Sequence, residues 1–174
     1  ANKEILVYAT RTRKMFGMVK DLYEETDQSK FAKLYTRIEK YEAISDRVEV
    51  EIANYLTKVS EGRLSADSKQ KLLSMLKMVS EIESIGDSCY NLARTISRKH
   101  DDEITFGEEV NTNVKAMFSL ADDALVQMIA VEEQYENGSV DVVKSYNIEN
   151  EINKFRNQLK AKNAQDVKTH LYTY

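Results

Sequence analysis

The chain has 174 residues, of which 42% are hydrophobic and 31% charged, enough for one domain or two small halves around a core. Net charge is −4, with Lys and Arg interleaved among Asp and Glu, which gives a nucleic-acid surface little support. There is no proline, there are five glycines and one cysteine (Cys89), and no apolar run approaches the roughly 20 residues of a membrane span; helix breakers, a disulfide framework and a transmembrane segment are all excluded.

The first predicted helix carries apolar or small residues at Ile5, Ala9, Thr12, Phe16, Val19 and Tyr23, the four–three spacing of a packed seam. Thr26, Asp27, Gln28 and Ser29 prefer turns and N-caps and end it. The second seam runs Phe31, Leu34, Ile38, Tyr41, Ser45, Val48, Ile52, Tyr55 and Val59. About thirty helical residues make a rod of roughly 45 Å. Gly62 is the expected stop and Ser65 the next N-cap.

The third seam is Leu72, Met75, Val79, Ile82, Gly86, Cys89, Ala93 and Ile96, after which the pattern lapses into a polar linker from Arg98 to Gly107. A fourth helix follows with Val110, Val114, Met117, Ala121, Ala124, Met128, Val131 and Tyr135, stopped at Asn137, Gly138 and Ser139. A fifth carries Ile148, Ile152, Phe155 and Leu159. No stretch alternates as a strand does, so the expected fold is all-α, with long helices packed at shallow angles. Ala1 enters a helical pattern at once and Tyr174 stops just past one, so the chain is read as a fragment of a longer protein.

Two acidic pairs stand out. Glu42 and Asp46 lie one residue after seam positions Tyr41 and Ser45; Glu83 and Asp87 lie one residue after Ile82 and Gly86. Residues at i and i+4 share a helix face about 5–6 Å apart, so each pair sets like charges together and calls for compensation. The small residues Ser45 and Gly86 are expected to let the backbones approach there. If the two helices pack antiparallel, four carboxylates converge, an all-oxygen set suited to Mg²⁺, Ca²⁺, Mn²⁺ or ferric iron and ill suited to zinc or copper. The alternative is a solvated face with Lys40, Arg47 and Arg94 as ion-pair partners. Cys89 and the methionines read as core, His100 as a linker residue and His170 as part of a frayed end. The Glu-x-x-His element of di-iron bundles, a nucleophile elbow and a P-loop are all missing, so an enzyme is not expected.

The stretch Glu83-Ser-Ile-Gly-Asp87-Ser-Cys-Tyr-Asn91-Leu-Ala93 resembles the signature of the PhoU family of phosphate-uptake regulators, an E(D)xxxD motif followed by Asn-x-Ala, and Glu42-Ala-Ile-Ser-Asp46 resembles its partner motif. The resemblance implies two tandem three-helix units, residues 1–100 and 101–174, the second lacking its last helix in this chain. It further implies multinuclear clusters of hard metal ions (iron, magnesium or manganese), with Glu42, Asp46, Glu83 and Asp87 as ligands of the first unit. The second unit departs from the pattern: it offers Glu149 and Asn153, with a neutral amide where the Asp belongs.

The lead-in of Arg11 and Arg13, and Glu39-Lys-Tyr-Glu42, is similar to versions attached to sodium–phosphate symporters. That likeness implies a domain on the cytoplasmic face of the bacterial inner membrane. Its partners would be the membrane part of a phosphate transporter or phosphate-signalling proteins, with phosphate bound through metal, and an open apolar stripe in the second half would invite a homodimer. A spacer or oligomerisation bundle without metal is the competing reading, and a metalloenzyme the third.

Overall fold

The computed structural model describes residues 2–101 and 108–136, and these form four helices: α1 (Asn2–Glu24), α2 (Gln28–Ser60), α3 (Ala66–Asp101) and α4 (Glu108–Glu136). There is no strand among the described residues. The fold is all-α, as the sequence periodicity predicts. The fifth helix, the Asn137–Ser139 stop and His170 lie outside the described residues.

Local chemistry sets the helix boundaries. Asp27, with extended backbone, caps α2 by accepting the Lys30 N–H at 2.8 Å. Ser65 Oγ accepts the Ser68 N–H at 3.2 Å, and its carbonyl starts the ladder of α3. Between these helices, the Glu61 N–H donates to the Lys58 carbonyl and the Gly62 N–H to that of Val59, each at 3.3 Å, which closes α2. Connections this short force antiparallel neighbours, so α1, α2 and α3 form an up-down-up bundle.

The polar linker expected from Arg98 onward is instead the last turn of α3 up to Asp101. Arg98, Lys99 and His100 complement the negative end of the helix dipole there. His100 is held by a stack on Phe31, ring centroids 3.8 Å apart, a long-range contact that local periodicity does not reveal.

The seam of α3 is buried or half-buried throughout, from Leu72 to Ile96, with Ile85 added beside it. That of α2 holds from Phe31 to Ile52 and then shifts: Leu56 is buried, whereas Tyr55 is 56% exposed and Val59 is also exposed. At that end one i+4 step, from Ile52 to Leu56, replaces the expected i+3.

α1 departs most from a one-sided seam. Tyr8, Met15, Met18 and Leu22 are buried in addition to Ile5, Ala9, Thr12, Phe16 and Val19, because α1 packs against α2, α3 and α4 alike. Among the described residues α4 packs on α1 alone. Its anchor is Phe118, edge-on to Phe16 at 5.5 Å and to Tyr23 at 5.7 Å, followed by Leu125 and Met128; Phe118 and Leu125 stand beside the expected seam. Arg13 and Lys20 pair with Asp122 at 3.3 and 3.9 Å, and Lys115 with Glu24 at 3.1 Å, which sets α4 antiparallel to α1.

Candidate metal centre

Three cross-helix contacts set the register of the bundle. Lys14 Nζ lies over the Tyr41 ring at 5.8 Å, Phe31 stacks on His100, and Gly86 faces Thr12 and Met15. Counting along antiparallel α1 and α2, and α2 and α3, these contacts bring Tyr8, Asp46, Glu49 and Glu83 to one level, with Glu42 and Asp87 about one turn away. Both acidic pairs therefore belong to the same part of the molecule.

Side-chain oxygens of Glu42, Asp46 and Asp87 all lie within 4.8 Å of one another. Hard cations hold oxygens at about 2.0–2.6 Å, so two oxygens on one ion stand at most about 5.2 Å apart, and the separations here lie inside that span. Glu42 is half-buried and the two aspartates are exposed, leaving the triad open to solvent on one side. Glu83 lies outside that triad, and the proximity of Asp87 raises its affinity for a proton. The single pocket of four carboxylates expected from the spacing is thus a triad with a fourth acid alongside. Glu149 and Asn153 lie outside the described residues.

The electrostatics show what so many acids do to one another. Glu42 is pushed up to about 7, first by burial, then by the charges of Asp46, Asp87 and Glu83. Glu83 is also pushed up to about 7, by burial, by its hydrogen bond to Asp87, and by the charges of Asp87, Glu49 and Asp46. Lys40, Arg47 and Arg94 do not relieve this: among the described residues none of the four predicted acids makes an ion pair. Near neutral pH the cluster holds protons that a multivalent cation would displace. The donor set is entirely oxygen, and it fits hard ions.

Two residues of the cluster escaped sequence reasoning. Glu49, half-buried, adds its charge to Glu83 and Tyr8. It lies three residues after Asp46, on the same helix face, a signal overlooked by attending to i,i+4 pairs alone. Tyr8, 2% exposed, brings a phenol from α1. Burial and the charges of Glu49, Glu83, Asp46 and Glu42 push its ionisation up, so its hydroxyl stays protonated. No spacing rule connects Tyr8 with residues some forty positions away; its place follows from the bundle.

Gly86 faces α1, where an added Cβ would sit 3.7 Å from Met15 Cε and 3.9 Å from Thr12 Cγ2, ordinary contact distances. Ser45 is 4% exposed and its Oγ has no hydrogen-bond partner among the described residues. Cys89 is a buried free thiol whose ionisation is suppressed first by desolvation and then by the charge of Glu42.

No helix among the described residues is long and apolar enough to cross a membrane. No curated protein and no solved structure matches the chain. The PhoU domain family model matches residues 5–96, a span that contains all of α2, nearly all of α1 and α3, and every acid of the cluster. Paired acidic motifs on antiparallel helices and a family match over more than half of the sequence lead to one conclusion: this chain belongs to the PhoU family of phosphate-uptake regulators.

Proposed function

We propose that this protein is a regulatory domain controlling phosphate uptake that binds hard metal ions through the carboxylates of α2 and α3. The observation that carries the reading is the approach of Glu42, Asp46 and Asp87 to within 4.8 Å, with no cation among the described residues to neutralise them. Iron, magnesium or manganese suits the donors, and Glu83 and Glu49, whose charges act on each other, would be the acids to extend the site to a second ion. Bound there, a metal ion would supply open coordination positions to phosphate oxygens on the solvent side. The chain's own part is to hold the oxygens in place on two packed helices and to release protons as the ion enters.

The domain acts in this reading as a regulator and not as an enzyme. Its partner is the membrane part of a sodium–phosphate cotransporter or a phosphate-signalling protein, met at the cytoplasmic face of the bacterial inner membrane. The likeness of Arg11, Arg13 and Glu39-Lys-Tyr-Glu42 to symporter-attached members supports this placement, and α4 would open a second unit.

Elemental analysis of protein purified without chelator tests the reading, comparing the native sequence with Glu42→Gln/Asp87→Asn. Stoichiometric iron, manganese or magnesium lost in the variant is the expected result. Equal metal content in both, or none in either, would leave the alternative of a helical spacer.

A further inference from the structure

Away from the carboxylates, a second group of side chains gathers around Tyr41. Lys14 of α1 places its Nζ 5.8 Å from the Tyr41 ring centroid, and Arg37 of α2 its Cζ 6.0 Å from the same centroid. Both contacts are with the face of the ring, and both cations are exposed. Among the described residues neither cation makes an ion pair.

No acid stands three or four residues along the helix from either cation. The helix neighbours of Arg37 at three and four residues are Lys33, Leu34, Lys40 and Tyr41. Those of Lys14 are Thr10, Arg11, Gly17 and Met18. Two positive charges thus converge on one phenol, with further cations beside them, in a chain whose net charge is −4. An exposed cation–π contact contributes about 0.5–1 kcal/mol and leaves their mutual repulsion in place. Every polar group here can donate: three N–H from lysine, five from arginine and one O–H from tyrosine. The complement to such a set is an anion with several acceptor oxygens. Arg37 offers a planar fork, and Lys14 a compact charge, for tetrahedral oxygens.

We propose that Lys14, Arg37 and Tyr41 form a binding site for a phosphate group, separate from the carboxylate cluster, with Lys33 and Lys40 extending the positive field along α2. Tyr41 immediately precedes Glu42, so the two sites share one level of α2 and are turned about 100° from each other around its axis. The phosphate is that of free inorganic phosphate or of an anionic lipid headgroup. The site needs no metal, and it stands independently of the function proposed above.

The test uses protein freed of metal by chelator and titrated with inorganic phosphate at low salt, followed by amide and arginine side-chain NMR. Shifts centred on Lys14, Arg37 and Tyr41 are expected. Lys14→Gln or Arg37→Gln should weaken binding about tenfold each, the scale of one charged hydrogen bond. Lys58→Gln, an exposed cation in the last turn of α2, should leave binding unchanged. In a parallel arm, co-sedimentation with vesicles of phosphatidylglycerol and phosphatidylcholine that is lost in the Lys14→Gln/Arg37→Gln variant would identify the lipid headgroup as the source. All these cations are exposed, so the variants should fold, which circular dichroism checks. Silence in both arms, or binding that survives in the double variant, overturns the proposal.

Discussion

Tyr8 has two separable parts, a ring that fills the core and a hydroxyl set among acids. Tyr8→Ala removes both and should cost about 3–5 kcal/mol in chemical denaturation, the usual range for emptying an aromatic site. Tyr8→Phe keeps the ring, so the fold should persist, while Glu83 loses a nearby O–H dipole and should titrate higher by NMR. Ser45 presents the opposite case, a buried hydroxyl without a hydrogen-bond partner among the described residues. Ser45→Ala removes a desolvated polar atom and improves helix propensity, and it should stabilise the protein by about 1 kcal/mol. A fall in melting temperature in Ser45→Ala would show that the hydroxyl has a stabilising role. Residues of this kind mark where sequence reading stopped: Ser45 was visible as a small seam residue, but only packing shows that its oxygen is stranded.

At the scale of the helices, Asp27 and Ser65 are caps that a reader of the sequence can place, and the seam of α3 is legible from end to end. Periodicity records that a residue is apolar and how it is spaced; it does not record how many neighbours a helix has. α1 therefore read as a helix with one packed side, and its burial on several sides depends on three partners. For the same reason the spacing does not say which helix Gly86 meets: it faces α1, with room for a methyl group. Gly86→Ala should raise stability by about 0.5–1 kcal/mol through helix propensity, measured as a higher denaturation midpoint. The ion pairs between α1 and α4 are largely solvent-exposed and contribute little, which leaves the apolar strip around Phe118 to hold α4. Phe118→Ala should abolish hydrogen-exchange protection in α4 while α1 to α3 keep theirs.

The acid cluster sets a property of the whole molecule. Glu42 and Glu83 bind protons more tightly in the folded protein, at about 7, than at the usual carboxylate value of 4.5. Groups raised in this way stabilise the fold fully below their unfolded value, and that contribution is lost as pH rises through the folded one. The metal-free protein should therefore melt at lower temperature at about pH 8 than at about pH 5, and Glu42→Gln/Glu83→Gln should flatten the dependence. Manganese added at the higher pH should restore the lost stability, since it neutralises the charges that protons otherwise hold down.

The central position of α1 bears on how the molecule is made. It leaves the ribosome ahead of every helix it must touch, with apolar side chains on several sides and no neighbour to cover them. The α2–α3 hairpin, joined by a short turn, needs only local contacts and can assemble as soon as it has been synthesised. Until that hairpin closes around it, the nascent α1 is a natural client for a chaperone, and a stall in translation before Ala66 would prolong its exposure.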